Sequence, residues 1–240
     1  MIFRQLFDQD TWTYSYLVAD ETTREAVIID PVVERLERDI QLISELGLTL
    51  RYVMETHVHA DHVTGAAGLR DRLGAKTVVS VHGGADCANV KVDEGDSLRV
   101  GSLDFEVRAT PGHTNGCVTY VLRADGKTMA FTGDALLVRS CGRTDFQQGS
   151  ADRLFDSIRT RIFTLPEDTI VWPAHDYKGH TVTTVAEEKA HNPRIREGVE
   201  RETFVATMNG LKLANPRLMD IAVPANLACG TQTPAAGAPT

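Results

Sequence analysis

The chain has 240 residues, 42% of them hydrophobic, with 33 acidic and 25 basic side chains. This length can bury a large core, so one soluble globular domain is expected. A net charge of −8 argues against general nucleic-acid binding, and no apolar run approaches the roughly 20 residues of a membrane span. The N-terminal segment lacks the basic and apolar regions of a secretion signal, so the sequence predicts cytoplasmic residence.

The cysteines give no pairing signal. Cys87, Cys117, Cys141 and Cys229 are scattered along the chain without a CxxC or another paired spacing. We therefore expect all four to be reduced, and we expect neither a disulfide framework nor a cysteine zinc site.

Strand and helix signals alternate in the first third of the chain. Apolar residues at three- and four-residue steps, Leu36, Ile40, Ile43 and Leu46, indicate an amphipathic helix that Gly47 ends. In chain order the predicted elements are strands over TYSYLVA and EAVIID, a helix over VVERLERDIQLISELG, a strand over LRYVMET, a short helix over VTGAAGLRDRLG and a strand over KTVVSV.

Hairpins and helices follow. SLRVGSLDFEVRAT predicts one hairpin, and CVTYVLR with KTMAFTG around the turn ADG predicts a second. SADRLFDSIRTRIF is expected to be a helix, TIVWPA a strand, and the region from Thr181 to Leu213 mostly helical. We expect one domain over residues 1–222, with a helical C-terminal portion, and a tail over 223–240 that is disordered toward its end.

Potential metal ligands follow four of the predicted strands. LRYVMET leads to His57, FEVRATPG to His113, MAFTG to Asp134 and IVWPA to His175. If these strands lie in layered sheets, the four side chains can converge at one edge of the fold. Chance is a poor account of this pattern, whereas His82, His180 and His191 stand outside it and are interpreted as structural.

The segment THVHADHVTG adds three further candidates, which brings the set to seven: His57, His59, Asp61, His62, His113, Asp134 and His175. Imidazole and carboxylate together suit zinc, iron or manganese, and the mixture alone does not choose among them. Seven ligands are too many for one tetrahedral ion but enough for two ions bridged by Asp134. The residues by themselves therefore predict a two-metal hydrolase.

The HxHxDH cluster, PGHT, GDALL and PAHDY together resemble the metallo-β-lactamase superfamily. The resemblance implies an α/β fold: an αββα sandwich of two mixed β-sheets flanked by helices, with the metal at one edge. Within the superfamily, THVHADHVTG, CGRTDFQQG, FTLPEDTIVWPAHDY and NPRLMDIAVPAN are similar to the persulfide dioxygenases.

This narrower resemblance changes the expected site. It implies one Fe(II) per chain held by His57, His113 and Asp134, a ligand set that leaves three octahedral positions open. His59, Asp61, His62 and His175 would then orient the ligands and tune their basicity through hydrogen bonds. The implied reaction oxidises glutathione persulfide with O2 and water to sulfite and glutathione, as part of sulfide catabolism.

Glutathione carries two carboxylates, so cationic and hydroxyl groups are expected around the pocket. Arg143 and Tyr177 are the predicted substrate-binding residues, and Asp176 is predicted to orient the neighbouring metal ligands. Arg143 could instead pair structurally with Asp145 or Asp176, and Arg139, Lys178 and Arg217 are weaker candidates. Cys141 is interpreted as a buried small hydrophobic residue, so that the reacting sulfur comes from the substrate.

Two other functions remain open. One is a glyoxalase II-type binuclear hydrolase of glutathione thioesters, which would use all seven ligand positions. The other is a non-catalytic persulfide or metal carrier. The family resemblance also suggests a homodimer, and an upstream rhodanese or sulfide-oxidising enzyme is a possible partner.

Overall fold

A computed structural model describes residues 1–231, which form two six-stranded mixed sheets with helices on their outer faces. The predicted αββα sandwich is confirmed. The first sheet contains, in spatial order, β1 (Ile2–Asp8), β2 (Thr13–Ala19), β3 (Glu25–Ile29), β4 (Thr49–Met54), β5 (Lys76–Ser80) and β6 (Val90–Val92). Across the second sheet run β12 (Thr183–Thr184), β11 (Ile170–Pro173), β10 (Lys127–Gly133), β9 (Val118–Ala124), β8 (Leu103–Ala109) and β7 (Ser97–Val100).

The helices among the described residues are α1 (Leu36–Glu45), α2 (Ala66–Leu73), α3 (Ala151–Ser157), α4 (Val185–His191), α5 (Arg201–Asn209) and α6 (Met219–Leu227). A 3-10 turn, Val33–Arg35, precedes α1, and a π-helical turn, Ile158–Ile162, follows α3. None of the helices within residues 1–231 combines the length and apolar character needed to cross a membrane.

The sheets are held together by a continuous apolar core. Tyr16 and Ile29 of the first sheet pack in one cluster with Phe105, Tyr120 and Phe131 of the second. A second cluster joins the outer face of the second sheet to α3 and α5, and a third joins the first sheet to α1 and α2. Each sheet is therefore buried on both faces, which explains why β2 has no exposed residue.

Several elements differ from the sequence prediction. The pattern did not indicate β1, which pairs antiparallel with β2. The region from Thr181 to Leu213 holds two separate helices, α4 and α5, after the short strand β12. The predicted domain boundary between residues 222 and 223 falls inside α6, whereas the expected disorder at the end of the tail concerns residues 232–240, outside the described residues.

The prediction of four reduced cysteines is wrong. Cys87, on the loop after β5, forms a disulfide with Cys229, just beyond α6, across 142 residues of sequence. Cys117 and Cys141 are free and buried, so the interpretation of Cys141 as a buried residue is confirmed. A pairing across such a separation has no spacing signature, because only the folded sheets and α6 bring the two segments together.

The two sheets are joined at the end where the predicted ligands lie. β10 and β11 run parallel, so Asp134 and His175 leave adjacent strands in the same direction. Tyr14 of β2 donates its backbone N–H to the carbonyl of Ala174 at 2.7 Å, and Val118 donates to the carbonyl of Thr56 at 2.9 Å. These links between the sheets bring the four strand ends together at a cleft that His113, Asp134 and His175 line.

Candidate metal centre

Three of the predicted ligands meet beside this cleft, and two of them, His113 and Asp134, line it. One ligand atom each from His57, His113 and Asp134 lies within 4.8 Å of the others. Both histidines are buried, whereas the Asp134 side chain keeps 14% of its surface exposed. We call these three residues the metal triad.

Hydrogen bonds leave the Nε2 atom of both triad histidines available as a ligand. His113 donates its Nδ1–H to the backbone carbonyl of Arg143 at 2.7 Å. Thr56 donates its hydroxyl to Asp30 at 2.8 Å, so its oxygen accepts the Nδ1–H of His57 at 3.0 Å. In both cases the proton sits on Nδ1, and the Nε2 lone pair is free to bind a metal.

A glycine permits one of these contacts. A Cβ atom at Gly142 would lie 2.5 Å from the backbone oxygen of Asp134 and 2.9 Å from the His113 ring. The CGRTDF motif therefore passes too close to two triad residues for any side chain at this position, and Gly142 lets the carbonyl of Arg143 reach His113.

His175 is held differently from the triad histidines. Its Nδ1–H donates to Asp134 at 2.7 Å and its Nε2–H donates to Asp61 at 2.8 Å. Burial opposes a charge on this ring, but the two carboxylates outweigh it and raise the pKa of His175 well above its usual value. His175 is therefore a cation with no free lone pair, and it fixes the orientation of the triad carboxylate.

Asp61 completes this arrangement by accepting a second hydrogen bond, from Nδ1 of His62 at 2.9 Å. Burial disfavours ionisation of Asp61, yet the neighbouring His175 and His62 lower its pKa well below the usual range. We call Asp61, His62 and His175 the hydrogen-bonded group.

His59 points away from the cleft. Its Nε2 lies 3.1 Å from Asp30 and 3.4 Å from Glu55. Burial alone would lower the pKa of His59, but the two carboxylates raise it to about 10. Asp30 therefore contacts both the Thr56 that orients His57 and the ring of His59.

The seven predicted ligands do not form one cluster in the described chain. Apart from the metal triad, the sets spaced for metal binding are His59, Asp61 and His62, and Asp30, Glu55 and His59. Two imidazoles and one carboxylate, with Nδ1 of both rings engaged by oxygen atoms, fit a divalent ion such as ferrous iron. The set His59, Asp61 and His62 has the same donor types, but its carboxylate already accepts hydrogen bonds from His62 and His175. In the metal triad, the Nδ1 hydrogen bonds of both histidines leave Nε2 facing the carboxylate.

The cleft has a volume of about 1120 Å³ and is lined by the three predicted substrate-site residues. Arg143 forms a bidentate ion pair with Asp145 at 2.6 and 2.7 Å and donates to the carbonyl of Ala214 at 2.6 Å. The structural pairing with Asp145 considered from the sequence is therefore present. Lys178 and Arg217 line the same cleft as exposed cations.

Tyr177 and Asp176 have contrasting surroundings. Tyr177 is 62% exposed, and its ring lies parallel to that of His175 with 6.1 Å between centroids. Asp176 is buried and accepts hydrogen bonds from the backbone N–H groups of Lys178 and His180, both at 2.7 Å. Asp176 thus shapes the loop that carries Tyr177 along the cleft.

Two residues that support the site, Asp30 and Asn226, were not predicted from the sequence. Asp30 follows an ordinary buried strand, and Asn226 lies beyond the predicted domain boundary, yet both hydrogen-bond to the THVHADHVTG segment. The signal that could have identified Asp30 is its position at a strand end beside LRYVMET, because such ends meet when the strands pair in parallel.

The metallo-β-lactamase superfamily model matches residues 13–175, from the start of β2 to His175. The chain belongs to the metallo-β-lactamase superfamily. The persulfide dioxygenase ETHE1 of mouse is 53% identical over 98% of this chain and 91% of its own length, and the human protein is 52% identical with the same coverage. The crystal structure of ETHE1 from Myxococcus xanthus superposes with a TM-score of 0.92 at 57% identity, covering 96% of this chain and 100% of that one. The resemblance to persulfide dioxygenases is confirmed.

Proposed function

We propose that this chain is a persulfide dioxygenase that converts glutathione persulfide, O2 and water to sulfite and glutathione. The observation that carries the proposal is the 52–53% sequence identity with persulfide dioxygenases over 98% of this chain. This similarity extends well past residue 175, where the superfamily model ends. It therefore includes the segments before α5 and before α6, whose residues line the cleft.

The proposed cofactor is one Fe(II) held by the metal triad. When bound, ferrous iron would supply the redox chemistry with dioxygen, together with open positions that bring both reactants together. The protein contributes the geometry. His113 and His57 are fixed in the tautomer that exposes Nε2, and His175 holds the Asp134 carboxylate by a charged hydrogen bond.

The cleft offers charges that suit an anionic substrate. Lys178 and Arg217 can face the carboxylates of glutathione, and the exposed ring of Tyr177 can contact its peptide portion. The guanidinium of Arg143 is engaged by Asp145 and by the segment around Ala214, so we propose that it shapes the pocket wall and offers only its remaining N–H to substrate. Asp176 acts by orienting the Tyr177 loop.

A thioester hydrolase is the second candidate, because His59, Asp61 and His62 are also spaced to hold a metal. Oxygen consumption with glutathione persulfide, measured beside cleavage of S-lactoylglutathione, separates the two functions. The proposal expects oxygen uptake and sulfite release without thioester cleavage. Thioester cleavage without oxygen uptake would show instead that the chain is a thioester hydrolase. Iron-bound protein that is inactive on both substrates would favour a non-catalytic carrier.

We further propose that the enzyme works in the cytoplasm as a homodimer, and that a rhodanese or a sulfide-oxidising enzyme supplies its persulfide. Cell fractionation tests the location, and light scattering on purified protein tests the oligomeric state. Supply by a rhodanese predicts that adding one with thiosulfate and glutathione sustains oxygen uptake without added persulfide.

A further inference from the structure

Asn226 connects the last helix to the histidine motif. It lies in α6, and its side chain is buried. Its Nδ2 group donates to the carbonyls of His59 and His62 at 2.9 and 2.8 Å. Its Oδ1 accepts the backbone N–H of Thr64 at 2.8 Å. One side chain thus serves three backbone groups of the loop that follows His57.

This pattern requires an amide. A carboxylate at position 226 would face two carbonyl oxygens that it cannot donate to, and an apolar residue would leave three buried backbone groups without partners. Each buried backbone group that loses its hydrogen-bond partner destabilises this loop conformation relative to others in which the group is paired. Asn226 therefore selects one conformation of the loop.

The loop conformation matters because it carries Asp61. Asp61 accepts the Nε2–H of His175, and the Nδ1–H of His175 donates to the triad residue Asp134. A continuous series of hydrogen bonds therefore runs from the loop that Asn226 holds to a metal ligand on the other sheet.

The segment that carries Asn226 is itself fastened on both sides. Cys229 is bonded to Cys87 on the β5 loop. Gly230 has a φ of +82°, and a Cβ atom there would lie 2.3 Å from the backbone oxygen of Thr64. The chain just after α6 is thus pressed against the histidine loop, and the disulfide fixes it there.

We propose that Asn226 is a positioning residue for the metal triad, and that residues 225–230 form a clamp which the Cys87–Cys229 disulfide holds against the histidine loop. The inference rests on the proposed metal site. The clamp acts on the loop backbone, so it exists in the metal-free protein and can be measured there.

The test compares Asn226→Asp, which preserves size, and Asn226→Ala with the exposed control Asn209→Ala. Amide hydrogen exchange of residues 59–64 is measured in metal-free protein, and Co(II) affinity and absorption are measured by titration. In both Asn226 variants we expect faster exchange in residues 59–64 with unchanged exchange in β9 and β10. We also expect Co(II) binding weakened about 10- to 100-fold, the range known for residues that orient metal ligands, and an altered Co(II) spectrum.

Wild-type exchange and wild-type Co(II) affinity in Asn226→Asp would overturn the proposal, as would equal effects in Asn209→Ala. If Asn226→Ala does not fold, the size-matched Asp variant decides. If wild-type protein binds no Co(II) at the triad, the proposed metal site fails, whereas the exchange data still report on the clamp. Faster exchange in residues 59–64 of Cys87→Ser is the further expected result, and unchanged exchange there would contradict the role of the disulfide.

Discussion

The metal triad and the hydrogen-bonded group contain the same types of side chain but differ in what their nitrogen atoms contact. In the triad, His57 and His113 donate from Nδ1 to neutral oxygens and keep Nε2 free. In the hydrogen-bonded group, both nitrogens of His175 donate to carboxylates. Histidines delivered by similar strand ends thus differ in their hydrogen-bond partners, which leave Nε2 free in His57 and His113 and engage both ring nitrogens of His175.

Replacing a triad ligand should give the largest effect. His113→Ala removes one of three donors, so we expect loss of bound iron and of persulfide-dependent oxygen uptake, with the fold retained. Iron content, oxygen uptake and circular dichroism measure these outcomes. Full iron content and activity in His113→Ala would show that the triad is not the metal site.

Replacing His175 should give a smaller and different effect. His175→Gln removes the charged bond to Asp134 but no ligand in the proposed site, so we expect iron still to bind at one equivalent, with affinity or activity about 10- to 100-fold lower. His180→Gln, at an exposed histidine of the same loop, is the matched control. Complete loss of one of two metals in His175→Gln would instead identify His175 as a ligand.

The disulfide should affect stability more than chemistry. Closing a long loop typically stabilises a protein by about 2–4 kcal/mol, so Cys87→Ser should lower the thermal midpoint by several degrees. Alkylation of denatured, unreduced wild-type protein should label two cysteines, Cys117 and Cys141. Labelling of all four cysteines would show that the disulfide is absent and that the cysteines are reduced, as the sequence predicted.

The smallest effect is expected at the free thiols. Burial raises the pKa of Cys117 to about 12 and that of Cys141 to about 11. For Cys141, burial outweighs the nearby Arg194, which lowers the pKa. Since the thiolate is the reactive form, alkylation of native protein should be negligible at pH 8 and rise as the pH approaches these values. Cys141→Ala should keep near-normal oxygen uptake, and its inactivation would assign Cys141 a role in sulfur transfer.

The sequence indicated the proposed ligands more clearly than the residues that support them. Strand periodicity and strand-end residues located His57, His113, Asp134 and His175, because each follows its strand directly. The strand pattern could not separate the metal triad from the supporting residues. The hydrogen-bond partners that decide which histidine nitrogen stays free, such as the carbonyl of Arg143, are ordinary backbone atoms. That separation was predicted only from the motif resemblance.

Long-range partners escaped prediction for a related reason. Asn226 and the Cys87–Cys229 pair act on loops more than 100 residues away in sequence. Neither has a local spacing signal, and α6 has a weakly amphipathic pattern interrupted by Pro224. Such contacts become visible only when the packing of α6 is known.

The metal stoichiometry of freshly made protein tests the central distinction most directly. Protein expressed with abundant iron is analysed by mass spectrometry and then assayed for oxygen uptake with glutathione persulfide. A single triad predicts one iron per chain and oxygen uptake. Two metals per chain, with His59 and His62 as ligands, would contradict the division between the triad and the hydrogen-bonded group.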